Sequence, residues 1–288
     1  MSRSYLFVPA DSERKLAKAS DTDADALILD LEDSVAAHAK AAARALAAEF
    51  VGGRNDAWVR INPIDSDEAQ ADLASVVAAA PAGIMLPKAR SADDVINLAS
   101  KLRQLEAQHG ITVGQTRIIA LCTERPEALF TLASYIGATP RLAALSWGGE
   151  DLSSALGASA NRSADGEWLP TYEMARSLCL CAAAAAEVAA IDTVFTDYRD
   201  LDGLAKYAAN ARRDGFSGML AIHPGQVDVI NRAFMPTAEE VERARRIVAL
   251  FDDNPGAGTL GLDGEMIDLP HRVQAERLLE IATKLAAG

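Results

Sequence analysis

Glu124 and Asp151 are the residues whose type and placement most readily support chemistry. Each follows a short apolar run, Ile118-Ile119-Ala120-Leu121-Cys122-Thr123 for the first and Leu142-Ala143-Ala144-Leu145-Ser146-Trp147-Gly148-Gly149-Glu150 for the second. Two carboxylates on one rim, with positions left for water and substrate, suit Mg²⁺. A cation held in this way polarises a substrate carbonyl and stabilises a developing enolate. The competing use is structural, since Asp and Glu at strand ends also cap the helices that follow. Glu150 faces the other way from Asp151 in an extended segment and is expected behind the ligand pair.

Arg60 ends the run Trp58-Val59-Arg60, with Asn62 and Pro63 behind it. Its permanently charged fork suits a substrate carboxylate or enolate oxygen. An ion pair with Glu32 or Asp33 from the neighbouring strand end is the other use, and a paired arginine is also a pre-oriented one. Asp30, Glu32 and Asp33 are too many carboxylates for one rim without cations, which Arg60, Lys88 and a metal would supply. Lys88 sits where a Schiff-base lysine of a class I aldolase would sit, but that chemistry needs a desolvated amine with a lowered pKa. Close acids push the pKa the other way, which disfavours it. His223 ends a late apolar run as a base, a ligand or, more plainly, a core or strand-end histidine. Arg3, Arg14, Lys15 and Lys18 flank the first apolar run, either as a phosphate-holding group or as a solvated helix face.

These side chains need elements to position them. Strand-like runs fall at Ser4–Val8, Ala26–Leu31, Ala57–Ile61, Gly83–Leu86, Arg117–Cys122, Ala143–Trp147, Ile191–Phe195 and Met219–Ile222. Short apolar runs of this kind, separated by helical stretches, read as buried parallel strands. The helical patterns are Glu13–Ala19, Ala36–Phe50, Ala69–Ala79, Ala92–Gln108, Pro126–Tyr135, Thr171–Ala190 and Leu201–Asp214. About eight strand–helix units allow closure, so the expected fold is an α/β (β/α)8 barrel, with a doubly wound open sheet as the alternative. In such a barrel, functional groups gather at the downstream strand ends. The barrel is expected over residues 1–235 and a helical lid extension over 236–288. The extension reads as helices Ala238–Phe251 and Pro270–Ala287 around a glycine-rich stretch, Asn254–Gly264, that serves as a hinge.

The chain of 288 residues is half hydrophobic and carries a net charge of -13. That charge argues against nucleic acid or an anionic membrane as a partner, though a local basic cluster can still bind an anionic cofactor. Cys122, Cys179 and Cys181 lack the spacing of a zinc site or a disulfide framework. They read as small apolar residues in a reducing compartment. The alanine-rich stretch Leu178–Ala190 contains Glu187 and is too short to span a bilayer. The N-terminus runs into a strand without room for a signal peptide, so a cytoplasmic location is expected.

Taken in order, the runs Arg3-Ser4-Tyr5-Leu6-Phe7-Val8-Pro9, Leu29-Asp30-Leu31-Glu32-Asp33, Val59-Arg60-Ile61-Asn62, Leu86-Pro87-Lys88, Gly149-Glu150-Asp151-Leu152 and Ala221-Ile222-His223-Pro224 resemble the HpcH/HpaI aldolase and citrate lyase beta-subunit-like family. Any one run is weak; their order and strand-end placement over nearly the whole chain carry the resemblance. It implies a Mg²⁺-dependent TIM barrel that makes or breaks a carbon–carbon bond beside an acyl-CoA thioester. By position it implies Glu124 and Asp151 as metal ligands, and Arg60 as the substrate and oxyanion contact with Glu32 and Asp33 as its neighbours. Arg3, Arg14, Lys15, Lys18 and Lys88 form the candidate CoA-binding set. The usual family run places glutamate before threonine, whereas Thr123-Glu124-Arg125 reverses that order, leaving Thr123 as the other candidate for the ligand position.

The segment from Leu262 to Pro270 resembles the lid of malyl-CoA and citramalyl-CoA lyases. In those relatives an aspartate at the position of Asp268 reaches a neighbouring subunit's active site as an acid/base; the plainer use of Asp268 is a helix cap. The resemblance therefore implies a homotrimeric or hexameric lyase that handles an acyl-CoA and a 2-oxo acid. A malyl-CoA-type thioesterase and a non-catalytic CoA-binding subunit are the alternatives.

Overall fold

The five residues of Ala26–Asp30 are all buried, as a strand must be when its sheet is closed and covered by helices. The structure is a computed structural model describing residues 2–286, so the expected range ends at Met1, Ala287 and Gly288 lie outside the described residues. Eight parallel strands close into a barrel in sequence order. They are β1 (Ser4–Pro9), β2 (Ala26–Asp30), β3 (Ala57–Arg60), β4 (Gly83–Leu86), β5 (Arg117–Leu121), β6 (Leu142–Ser146), β7 (Ala189–Asp192) and β8 (Gly218–Ala221). The connecting helices are α1 (Glu13–Ser20), α2 (Lys40–Val51), α3 (Asp67–Val76), α4 (Ala92–His109), α5 (Gly149–Leu156), α6 (Pro170–Ala185), α7 (Leu201–Asp214) and α8 (Val227–Ala233). Their limits follow local chemistry. Ser12 caps α1 by accepting from the Lys15 N–H, and Ser91 caps α4 with Asp93 and Asp94 in the first turn.

Alternation along the strands sends one set of side chains inward, where Tyr5, Ile28, Met85, Ile119, Leu121, Ala144, Ile191 and Leu220 form a packed core. The same alternation, continued by two residues, carries Asp30 beyond Ile28 and Arg60 beyond Trp58. Register then sets Asp30 directly opposite Arg60.

The expected strands are largely recovered, with two local corrections. The helix expected over Thr171–Ala190 stops at Ala185, and β7 starts at Ala189 rather than Ile191. The chain turns there through Glu187 at φ +55°, without the glycine that usually announces a helix end. The helix expected over Pro126–Tyr135 is instead two 3-10 segments, Pro126–Phe130 and Leu132–Tyr135. Between them the Thr131 hydroxyl bonds the carbonyls of Arg90 and Ala128, competing with a continuous helical ladder.

At the upstream end of the barrel, Arg3 pairs with Asp25 and Arg141 with Glu106. Arg141, just before β6, donates to both oxygens of Glu106 on α4 at 2.8 and 2.5 Å, and both residues are buried. Burial alone would raise the Glu106 pKa, but Arg141 and the N–H groups of Gly114 and Thr116 carry it down to about 2. A lowered carboxylate pKa stabilises the fold above the unfolded value of 4.5 and loses that contribution as pH falls towards about 2. Arg141→Met is therefore expected to cost about 3–5 kcal/mol at neutral pH, because it strands a buried charge. The difference from wild type should shrink as pH falls below the unfolded carboxylate value. Urea unfolding at pH 7 and near pH 3 measures both.

The described chain divides into two compact units, Ser2–Ala233 and a second that starts at Phe234. The second unit corrects the all-helical extension. Between α9 (Ala238–Asp252) and α10 (Leu269–Ala286) lies an antiparallel hairpin, β9 (Thr259–Leu262) and β10 (Glu265–Asp268). Its two-residue loop is Asp263-Gly264, at φ +54° and +85°, which matches the mirror-image turn that Asp-Gly favours. Part of the expected hinge is thus a specified turn. Ala244, Ile247, Phe251, Ile267 and Ala275 make this unit's core, and Arg246 holds Asp263 at 2.6 Å. Among the described residues, no helix is long and apolar enough to cross a membrane.

Candidate active site

The downstream ends of β2 to β6 bring seven charged residues into one connected group. Arg60 donates to both oxygens of Asp30 at 2.7 Å each and lies 3.1 Å from Glu32 Oε2. Its guanidinium also stacks over Phe7, 4.6 Å from the ring centroid. Asp30 in turn accepts the backbone N–H groups of Glu32 and Ser34, which folds the segment after β2 back over the strand end. Burial would raise the Asp30 pKa, but Arg60 outweighs it and keeps the carboxylate below its ordinary range. The ion pair with Glu32 expected from sequence is present. Asp30 is the second, bidentate partner, and Asp33 pairs with Lys88 instead.

Lys88 follows β4 in the left-handed region, at φ +52°. Its Nζ lies 2.6 Å from Glu32 Oε1, 3.0 Å from Asp33 Oδ2 and 3.3 Å from Asp151 Oδ1. Burial alone would lower its pKa, but Glu32 and Asp33 raise it well above the ordinary lysine value. An amine within ion-pair distance of three carboxylates is a poor Schiff-base nucleophile, which argues against the class I aldolase reading. Its engagement with these three carboxylates also separates Lys88 from the expected CoA-binding lysines.

Glu124 is buried, and its Oε2 accepts the Lys88 backbone N–H at 2.6 Å. Burial, then Asp151, then Glu32 push its pKa up to about 8. Thr123 lends its hydroxyl to the Gly148 N–H at 3.3 Å, so it is Glu124 that faces Asp151 electrostatically. Asp151 sits in the first turn of α5. The donor set is hard oxygen with excess negative charge, which fits Mg²⁺. Among the described residues no group of three His, Cys, Asp or Glu could hold a metal ion. A cation held by only two carboxylates would draw the rest of its shell from water and substrate.

Gly148 makes room for this arrangement. A Cβ there would lie 2.7 Å from Glu124 Cγ and 3.0 Å from Oε1. Because Glu124 is buried, its side chain has little freedom to yield. Gly148→Ala is expected to weaken divalent-cation binding by about 10–100-fold, the range seen when groups supporting a metal ligand are disturbed. Calorimetric Mg²⁺ titration checks this, and unchanged affinity would mean that Glu124 is not confined there.

The basic group is only partly assembled. Arg14, Lys15 and Lys18 line a cavity of about 480 Å³ with Phe7, Pro9, Ile222 and His223. Phe7 is shared with Arg60, so the cavity and the charged group have a common wall. Arg3 does not join them. It precedes β1 at the upstream end and is bound to Asp25 at 2.8 Å, because a residue before a strand lies opposite the barrel mouth. His223 is an exposed strand-end residue that accepts the Gly225 N–H at Nδ1 and stacks on Tyr198. Asp268 lies in the second unit, at the end of β10, bonded to His271. His271 first, with burial opposing it, keeps the Asp268 carboxylate below its ordinary pKa.

Sequence reasoning missed a supporting network. Lys40 donates to the carbonyls of Leu31 and Glu32 and to Asn62 Oδ1, while Asn62 is held by buried Asp72. Lys40 offers no signal beyond being a lysine in a helix. The Trp147 indole and Arg176 converge on buried Asp192 at the end of β7, fixing the segment that leads to Asp151.

Comparison with known proteins places this geometry in context. Residues 3–224 match the HpcH/HpaI aldolase/citrate lyase family. The citrate lyase subunit beta of Haemophilus influenzae is 34% identical over 97% of this chain and 96% of its own. The mitochondrial citramalyl-CoA lyase of Rattus norvegicus is 31% identical over 98% and 86%. A (3S)-malyl-CoA thioesterase of Cereibacter sphaeroides is 32% identical over 99% and 96%. Among solved structures, CitE from Mycobacterium tuberculosis in complex with magnesium, acetoacetate and coenzyme A superposes with a TM-score of 0.84, at 34% identity, covering 98% of each chain. A closed eight-stranded barrel with its charges gathered at the downstream end, together with sequence matches that span nearly its full length, means that this chain belongs to the HpcH/HpaI aldolase/citrate lyase family.

Proposed function

We propose that the protein is a Mg²⁺-dependent carbon–carbon lyase acting on a hydroxy-dicarboxylyl-CoA such as malyl-CoA or citramalyl-CoA, releasing a 2-oxo acid and an acyl-CoA. The observation that carries this reading is the shared wall between the Arg60–Glu124–Asp151 group and the basic cavity. It supports a carboxylate-rich cation site beside a place for an anionic cofactor tail. The structural relative with bound magnesium and coenzyme A supports the same pairing.

In this reading Glu124 and Asp151 hold the cation, which when bound polarises the 2-oxo acid's carbonyl. Arg60, pinned by Asp30 and Glu32, has donors left over for a substrate oxygen and stabilises negative charge as the bond breaks. Asp33 and Glu32 keep the Lys88 ammonium in place beside it. Arg14, Lys15 and Lys18 bind CoA phosphates. During cleavage a base takes the proton of the substrate hydroxyl, the bond to the thioester's α-carbon breaks, and the Asp268 carboxyl of a neighbouring subunit delivers a proton to that carbon; condensation runs the same steps in reverse. Assembly as a homotrimer or hexamer belongs to the same reading.

The test is turnover of malyl-CoA and citramalyl-CoA with Mg²⁺ and with EDTA, following 2-oxo acid and free CoA separately. Metal-dependent release of 2-oxo acid is expected. Free CoA without acyl-CoA would favour the thioesterase reading, which the Cereibacter relative supports. Absence of both products would favour a non-catalytic CoA-binding subunit.

A further inference from the structure

Lys88 combines two features that the proposed reaction does not explain. It holds a left-handed backbone although it is not glycine, a conformation that carries strain and persists only where its surroundings impose it. It also bonds both carboxylates assigned to the cation, through two different parts of itself. The backbone N–H occupies Glu124 Oε2 at 2.6 Å, and the ammonium sits 3.3 Å from Asp151 Oδ1. The ammonium is fixed by Glu32 and Asp33 on its other sides, at 2.6 and 3.0 Å. Only 23% of the Lys88 side chain is exposed, so it is held within the group.

The consequence lies in how many oxygens each ligand can offer. Lys88 engages Glu124 at Oε2 and Asp151 at Oδ1, leaving Oε1 and Oδ2 as the oxygens it does not contact. Mg²⁺ and ions of its size take near-octahedral shells at about 2.0–2.1 Å, from one or two carboxylates plus water and substrate. Ca²⁺ gathers about 6–8 oxygens at longer range and gains from bidentate carboxylates. A residue that engages one oxygen of each ligand competes with the bidentate mode at both.

We propose that Lys88 is the positioning residue that biases this site towards a small octahedral cation over Ca²⁺, by disfavouring bidentate ligation at Glu124 and Asp151. The proposal rests on the assignment of those two carboxylates as the cation ligands. Lys88 touches neither substrate nor reacting atoms in this role. Its backbone N–H fixes Glu124 whatever the side chain, whereas its ammonium fixes Asp151, so the two contributions can be separated.

The experiment uses the full chain and reads binding directly. Mn²⁺ binding is followed by loss of the free-ion paramagnetic resonance signal, and bound Mn²⁺ is then competed with Mg²⁺ and with Ca²⁺. Lys88→Met removes the ammonium and keeps the backbone N–H. Lys88→Gly does the same while relieving the left-handed strain, so it decides the matter if the first variant is unstable. Wild type is expected to bind Mn²⁺, to yield it to Mg²⁺ and to resist Ca²⁺. In the variants, Ca²⁺ affinity relative to Mn²⁺ is expected to rise about tenfold or more, a typical effect of losing a group that orients a metal ligand. An unchanged ratio in a folded variant that still binds Mn²⁺ overturns this inference alone. Failure of wild type to bind Mn²⁺, or undiminished binding in Asp151→Ala, overturns the ligand assignment and this inference with it.

Discussion

Arg60→Met is expected to reduce turnover of the CoA thioester by about 10²–10³-fold, the loss typical when one preorganised donor to a developing oxyanion is removed. The same substitution should lower stability by about 3–5 kcal/mol, because it breaks a buried pair and leaves Asp30 without its cation. Arg60→Lys separates the two effects. An ammonium restores charge next to Asp30 but cannot reproduce the bidentate fork, nor the flat stack on Phe7. Stability should recover in part while turnover stays low. Steady-state kinetics and urea unfolding on the same preparations measure both. Near-normal turnover in Arg60→Lys would confine Arg60 to a structural role.

Asp151→Ala is expected to abolish metal-dependent turnover, by about 10³-fold or more if the cation supplies several kcal/mol of charge stabilisation. The fold should be spared, since the Asp151 side chain is about one-third exposed and its ion-pair partner, the Lys88 ammonium, is also held by Glu32 and Asp33. The pairing of lost activity with an intact fold distinguishes a ligand from a structural carboxylate. Circular dichroism and thermal unfolding supply one half of the measurement, and assays over a range of Mg²⁺ concentrations the other. Activity that survives without added metal dependence would remove Asp151 from the cation site.

The barrel was legible because apolar runs and helical patterns alternate with clear punctuation, and because strand ends carry abrupt charges. The side-chain parity of Asp30 and Arg60 was equally readable, but their register was not. Alternation says which face a residue takes, whereas pairing depends on how adjacent strands slide. The sequence therefore pointed to Glu32 and Asp33 for Arg60 and missed Asp30. Arg3 misled for a related reason: four nearby basic residues look like one cluster, although a strand carries its two ends to opposite faces of the barrel. The hairpin in the second unit was available in Asp263-Gly264, yet its flanks Thr259–Leu262 and Glu265–Asp268 are too short and too mixed to outweigh the surrounding glycines. Lys40 and Asp192 left no readable sign, because their importance comes from partners distant in the chain.

Two ion pairs at the upstream end, Arg3 with Asp25 and Arg141 with Glu106, have a consequence for how such a chain changes over generations. They are anchored on residues that precede the strands, while the unbalanced group is built from residues that follow them. Substitutions that retune the mouth for a different acid leave the upstream anchors untouched. Distant, independent sites contribute nearly additively, so tolerance for experiment at one end is underwritten at the other. Thioester chemistries can thereby diversify on this scaffold without each new version having to solve folding again.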